Sequence, residues 1–494
     1  MASNSKGDYL AYISLNNVGI SDDIPDWVWM LSSMEYLYLS DNQIRGRLLN
    51  SLKLPYGSDA NLRCSKLTSL VLANNLLWGP IPENIGEIMP RLTELDLSGN
   101  FLNGSIPSSI GILKDLEALI LSDNCLAGEL PGFWKDLKHL QHLDLANNHL
   151  TGSIPSSMGF LHSLHVLLLS NNNLNGELPS SLQNCTNLER IDLGENKFSG
   201  KLPTWMGELS LSILRLRVNF FSGNIPRQLC RLSNLHILDL AHNNLSGSIP
   251  HCLGNLTGFV STPESSEVYV KLEQILVVTK GKEQEYRNIL YLVKTIDLSR
   301  NDLSGKIPEE IMSLLQLGTL NLSMNRLTGK IPEKIGNLKM LETLDFSINQ
   351  LSGSIPQSLS SLTFLSHLNL SYNNLSGKIP SGNQLQTLND SSMYKGNQLC
   401  GPPLVTKCPG GDEASQGPSS IGGDGEDRDG YEMLWFYASM ALGFVVGFWG
   451  VCGTLLIKKT WRHAYFRFFN DMKDRLFVVV AVNVARLKRK MELE

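Results

Sequence analysis

Residues 140–155 read Leu140-Gln-His-Leu-Asp-Leu-Ala-Asn-Asn148-His-Leu-Thr-Gly-Ser-Ile-Pro155. The leucines at 143 and 145 alternate, so on an extended strand they point to one side. Asn148 is a polar residue aimed at the same interior. Its amide must find partners there, and backbone groups of adjacent turns are the available ones. Gly152 permits a turn with positive φ. Pro155 fixes its own φ and suits the first position of a short helical turn. The stretch buries nothing alone, so it needs neighbours of its own kind.

Those neighbours are present. The pattern L-x-x-L-x-L-x-x-N-x-L-x-G-x-I/L-P recurs with its asparagine at 42, 75, 100, 124, 148, 172, 196, 219, 243, 301, 325, 349 and 373. A degenerate first copy has Val18 at the asparagine place, with Ile20, Ile24 and Pro25 in register, which makes fourteen copies. Most steps are 24 residues. A fixed period over so long a stretch means a stacked array, with parallel strands roughly 4.8 Å apart and a ladder of interior amides. The L-x-G-x-I-P segment resembles the plant-specific class of leucine-rich repeats. That resemblance implies an α/β solenoid: a twisted right-handed superhelix with a second small sheet on its flank.

The chain has 494 residues and a net charge of −5, with no basic stripe of the kind nucleic-acid binders carry. Its eight cysteines form no CxxC pair, so no zinc site is expected, nor any other metal or cofactor. Convergent catalytic side chains are missing too, so the chain reads as no enzyme. Met1-Ala-Ser-Asn-Ser-Lys-Gly-Asp8 contains no apolar segment of a signal peptide. With no N-terminal cap either, the expectation is a truncated chain.

Two steps break the period. From Asn42 to Asn75 is 33 residues, with the extra ones around Leu54–Cys64. From Asn243 to Asn301 is 58, which divides repeats 1–10 (1–250) from repeats 11–14 (292–380) by an island at 251–291. Val268–Leu272 and Ile275–Tyr286 within it suit an ordered loop or hairpin. The island reads either as a tolerated surface insertion or as a binding element.

After the last copy, 381–409 form a terminal cap that covers leucines otherwise exposed. Cys400 and Cys408 are expected to pair within it, which places the segment in an oxidising compartment. The cap resembles that of plant leucine-rich-repeat ectodomains. Cys230 and Cys252, on the convex side of adjacent repeats, are a second candidate pair. Cys125 and Cys185 are expected to be free buried thiols. Eight N-x-S/T sequons stand at Asn103, Asn184, Asn244, Asn255, Asn321, Asn369, Asn374 and Asn389.

An acidic spacer at 410–434 leads to an uncharged span, 435–457, about 35 Å long as a helix. The hydrocarbon core is about 30 Å thick, so this is a transmembrane candidate. Lys458, Lys459, Arg462 and Arg467 follow it, which puts the repeats outside and the tail, 458–494, in the cytoplasm. Gly443 and Gly447 form a GxxxG pair, which suits close packing of a second helix or is the ordinary glycine content of such spans. The tail has no room for a kinase and none of its motifs.

Island, cap, acidic spacer, glycine-bearing span and short basic tail together resemble plant leucine-rich-repeat receptor-like proteins, which lack a kinase. The likeness is to the group that perceives ethylene-inducing xylanase. It implies a single-pass plasma-membrane receptor whose extracellular repeats bind a protein or peptide ligand. It also implies an adaptor receptor-like kinase paired through the membrane helix, a co-receptor kinase on the last four repeats, and signalling in plant immunity. A developmental peptide receptor, or a non-signalling fragment or decoy, has the same architecture.

Residues flanking the inward leucines face solvent on the concave side, and most copies carry D-L-S or N-L-S there. Repeats 8 to 10 depart from this template with Glu189, Arg190, Glu195, Arg215, Arg217, His236 and His242. Such a departure reads as a ligand patch or as a solvated charged strip.

Overall fold

The computed structural model describes residues 10–48, 64, 66–260, 275–279, 282–286 and 292–408. One strand per copy builds a parallel sheet of fourteen strands, from Tyr12–Ser14 to His367–Asn369. Register is constant: Leu143 lies opposite Leu119 on one side and Leu167 on the other. The leucines that share this register are buried throughout, from Leu37 to Leu368. One continuous core therefore runs the length of the array, and each repeat completes its neighbour's.

The asparagines form the expected ladder. Asn148 Nδ2 donates to the carbonyls of Leu121, Leu145 and Ala146 at 2.9, 3.2 and 3.1 Å. Its Oδ1 accepts from Leu126 N–H at 2.9 Å. Two of these partners belong to the preceding repeat, so one buried amide ties two turns together. The same set recurs at Asn100, Asn124, Asn172 and Asn196.

Beyond each asparagine the chain enters a second parallel sheet of thirteen strands, such as His149–Gly152. Gly152 ends this strand at φ 79°, which glycine adopts at little cost. Pro155 does not take the first helical position. At φ −71° and ψ 145° it is extended and stands just before the 3-10 turn Ser156–Phe160, whose first hydrogen bond it accepts from Met158. Its ring still fixes the φ at which the chain enters the turn. Gly159 lies within that turn, where a Cβ would collide with the Ser181 carbonyl of the next repeat.

Both interruptions leave the sheet intact. Tyr36–Tyr38 pairs with Ser69–Val71 across the 33-residue step. The extra residues 49–63 lie outside the described residues. Cys64 is buried, its thiol directed at the Trp29 carbonyl at 3.1 Å. Across the longer step Ile237–Asp239 pairs with Thr295–Asp297. His251–Asn255 still form the repeat's 3-10 turn and Phe259 is fully buried, so repeat geometry persists to Val260 rather than ending at 251. Ile275–Thr279 and Lys282–Tyr286 make an antiparallel pair, in keeping with the hairpin expected there. Val268–Leu272 lies outside the described residues.

The cap adds its own strand, Gln398–Cys400, to the end of the second sheet against Asn374–Lys378. Leu385, Met393, Tyr394 and Leu399 are buried and cover the last repeat. Among the described residues no helix is long and apolar enough to cross a membrane. The span at 435–457, with Gly443 and Gly447, lies outside them.

Candidate functional site: the charged break in the long sheet

The first residue of each D-L-S template falls in one column across the fourteen-stranded sheet. Asp96, Asp144, Asp192, Asp239, Asp297 and Asp345 stand in it, with Asn321 and Asn369. Each Oδ1 accepts the backbone N–H two residues on: Asp144 from Ala146 at 3.0 Å, Asp192 from Gly194 at 3.0 Å, Asp297 from Ser299 at 2.9 Å. The column closes the strand end and is structural by default.

Tyr38, Val71, Ile120 and Leu168 stand in the same column in other repeats, and Arg215 puts a cation there. Its strand, Ile213–Arg215, lies between Arg190–Asp192 and Ile237–Asp239, so the arginine is in register between two aspartates. Nη1 meets Asp192 Oδ2 at 2.7 Å, Nη2 meets Glu195 Oε1 at 3.3 Å, and Nε lies 3.7 Å from Asp239 Oδ2. The residue is only 3% exposed. Burial works against its charge, but the three carboxylates outweigh burial and hold its pKa above the usual arginine value.

On the far side of this arginine the column doubles. Asp239 is opposite Asp297, both buried. Burial first, and then the Asp297 charge, push Asp239 up to about 7, against the pull of Arg217 and Arg215. Asp297 is raised for the same leading reason. Arg217 Nε lies 3.8 Å from Asp239 Oδ2. His236 is buried with Nδ1 3.0 Å from the Val293 carbonyl, and burial lowers its pKa to about 4.

The seven residues singled out from sequence therefore divide. Glu189 and His242 are exposed, and Arg190, Glu195 and Arg217 are half-buried. Arg215 and His236 are not at the surface, which corrects the reading of both as ligand contacts. Both are held beneath it, Arg215 by opposed charges in register and His236 by the carbonyl that follows the island. Writing the copies one under another reveals the signal that was missed. Arg215 occupies the aspartate column, and a cation there has a carboxylate on either side.

The other expectations fall as follows. Cys230 is bonded to Cys252 and Cys400 to Cys408, with Cα separations of 5.6 and 5.0 Å. Cys185 is a free buried thiol, pushed up to about 11 by burial. Cys125 is free but exposed, because it opens a second-sheet strand at an outward position. Asn103, Asn184, Asn244, Asn255, Asn374 and Asn389 are exposed. Asn321 and Asn369 instead belong to the aspartate column, where their amides donate to Asp297 and Asp345.

Comparison with known proteins agrees with this architecture. The Leucine Rich Repeat family model matches ten segments, at 33–54, 91–113, 139–161, 163–185, 187–209, 234–256, 292–314, 316–338, 340–362 and 364–389. Receptor-like protein EIX2 of Solanum lycopersicum is 59% identical over 225 residues, 45% of this chain and 22% of that protein. The chain is a plant leucine-rich-repeat receptor-like protein. Receptor-like protein EIX1 of the same plant is 57% identical over 227 residues, again 45% of this chain and 22% of the relative. The match thus spans about a fifth of these relatives' length. Among solved structures, this receptor-like protein superposes on the Arabidopsis receptor kinase HAESA, solved with the peptide hormone IDA and the co-receptor SERK1. The TM-score is 0.62 at 31% identity, covering 80% of this chain and 62% of that one.

Proposed function

We propose that this receptor-like protein binds an extracellular protein or peptide on the long sheet at repeats 8 to 10 and signals in plant immunity through partner kinases. One observation carries the reading: other repeats replace the column's aspartate by uncharged residues such as Ile120 and Leu168, whereas Arg215 replaces it by a buried cation that locks two aspartates under a cluster of charges. Arg215 and His236 position the surface. Glu189, Arg190, Glu195 and Arg217 supply charges, and His242 an imidazole, that a ligand can meet. A rigid scaffold with variable, accessible charges is a recognition surface. The ectodomain is extracellular, N-glycosylated at its exposed sequons and held in the plasma membrane by 435–457. Gly443 and Gly447 pair with the helix of an adaptor receptor-like kinase, and the last four repeats meet a co-receptor kinase.

The test uses purified ethylene-inducing xylanase as probe against the full chain in nanodiscs. Wild type binds, and Arg217→Glu with Glu189→Lys weakens binding at least tenfold. Equal binding by the variant removes the patch from the mechanism, and no binding by wild type removes this ligand. A second reading, a peptide receptor of development, is favoured by the likeness to HAESA, whose complex holds a peptide hormone. The IDA peptide in the same assay tells the two apart.

A further inference from the structure

The residue just before each ladder asparagine is left-handed in every repeat. Repeats 1 to 7 fill it with Asn17, Asp41, Asn74, Gly99, Asp123, Asn147 and Asn171, residue types that tolerate this backbone. Repeats 8 to 11 carry Glu195, a half-buried Val218, His242 and Arg300 there, and only the last three in succession carry exposed apolar or aromatic side chains. They place Met324, Ile348 and Tyr372 there, at φ 55°, 53° and 54°. A β-branched residue at positive φ is an outlier. Burial does not compensate it, because Met324, Ile348 and Tyr372 are 37%, 45% and 51% exposed.

The three form one row. Met324 N–H donates to the Ser347 carbonyl at 2.8 Å, Ile348 N–H to Ser371 at 2.9 Å, and Tyr372 N–H to Lys395 at 2.6 Å. Successive members are therefore one strand spacing apart on a fixed backbone. The same position holds Arg300 at one end and Gly396 at the other, with Lys395 just before it, and Arg300 and Lys395 are both exposed. Neither cationic side chain has an ion-pair partner among the described residues. Beside Tyr372 a groove of about 610 Å³ opens between His367 and Asn369 of the last strand and Asp390 of the cap. Backbone strain kept at an exposed position is a mark of function rather than of folding.

We infer that the row Met324–Ile348–Tyr372 is a protein-docking ridge for a partner with an apolar strip flanked by carboxylates. The apolar centre excludes water, the two terminal cations fix register against acidic groups, and the groove admits a side chain beside the tyrosine. This rests on the proposed co-receptor contact at the last four repeats and gives it named side chains and a partner chemistry.

The test keeps the full chain in plant cells and replaces Ile348 by photoreactive p-benzoylphenylalanine, with Gln357 on the outer turn as control position. Expected is one light-dependent adduct at 348 and none at 357. Arg300→Glu with Lys395→Glu should reduce it at least tenfold, and its cross-linked peptide should be apolar with flanking Asp or Glu. No adduct, one that survives charge reversal, or a peptide without that pattern overturns the ridge. An adduct that meets all criteria on a protein without a kinase upholds the ridge and overturns the co-receptor reading. A folding role is checked separately. Ile348→Asn relieves the backbone, so the melting temperature should rise by about 2 °C while Tyr372→Ala and Ile348→Asn both lose the partner. A fall in melting temperature with Ile348→Asn means the isoleucine serves the fold, and the inference fails.

Discussion

Two buried polar columns run side by side through this solenoid, and they behave differently. The asparagine column repeats the same four contacts from Asn75 to Asn373. The aspartate column alternates with Ile120 and Leu168, takes a cation at Arg215, and is doubled at Asp239 and Asp297. An amide can satisfy itself on backbone in any repeat, so its neighbours do not matter. A carboxylate also responds to the residue one strand away, so the same position becomes sensitive to what the adjacent repeat carries. Uniform buried polarity holds the stack; variable buried polarity gives one segment its own electrostatics.

The largest effect should come from removing that cation. Arg215→Ala leaves Asp192 buried without its cation and Asp239 with Arg217 alone, which costs about 3–5 kcal/mol. Arg215→Met keeps the volume but not the charge, and recovers little of that loss unless both carboxylates are neutralised too. Urea denaturation of the three proteins at pH 7 measures this. A loss below about 1 kcal/mol for Arg215→Ala would show that the aspartates simply protonate.

In the uniform column, Asn148→Ala orphans the Leu126 N–H and removes the donor to Leu121 and Ala146, costing about 2–3 kcal/mol. The comparison predicts the same cost at Asn100 and Asn172, since their contacts are the same. A spread above about 1 kcal/mol among the three variants would mean that neighbours matter in this column as well.

The aspartates should also reveal themselves by pH. Burial raises Asp144 from 3.8 to about 7. The folded state therefore holds a proton that the unfolded state releases. Stability from this group is full below pH 4 and is lost as pH rises towards 7. Asp144→Asn removes the dependence, so its stability relative to wild type should grow between pH 4 and 7, by on the order of 3 kcal/mol, then level off. His142, lowered to about 4 by burial and by Arg190, works in the opposite direction in both proteins and cancels in the difference. A difference that is flat with pH would place Asp144 in water.

Much of this fold was legible because its rule is local and repeated. The period located all fourteen strands, the asparagine ladder, the positive-φ glycine and the terminal cap, since each follows from what one repeat cannot satisfy alone. Pro155 was misplaced by one position because sequence distinguishes a helix's first residue from the one before it only through ψ. Arg215 was misread for a different reason. Reading along the chain shows a charge flanked by leucines, whereas its partners stand in the same column 23 and 24 residues away, visible only when copies are compared across the sheet. The left-handed row at Met324, Ile348 and Tyr372 escaped in the same way, because polar residues elsewhere in that position looked like ordinary turn chemistry.

The smallest effect sharpens the comparison most cheaply. Arg326 Nε sits 2.5 Å from Asp302 Oδ1, the same residue types as Arg215 with Asp192 and a shorter contact. Their side chains are 67% and 39% exposed, against 4% and 5% for the buried pair. Water solvates the surface ions nearly as well apart as together, and ordering two long side chains offsets much of the remaining attraction. Arg326→Ala should therefore change stability by no more than about 0.5 kcal/mol, and raising salt should shrink even that. The Arg215 effect should hold at the same salt, because no counterion reaches a buried pair. Running both variants at low and high ionic strength separates contact distance from burial as the cause. If Arg326→Ala costs as much as Arg215→Ala, distance governs, and the contrast between the two columns collapses.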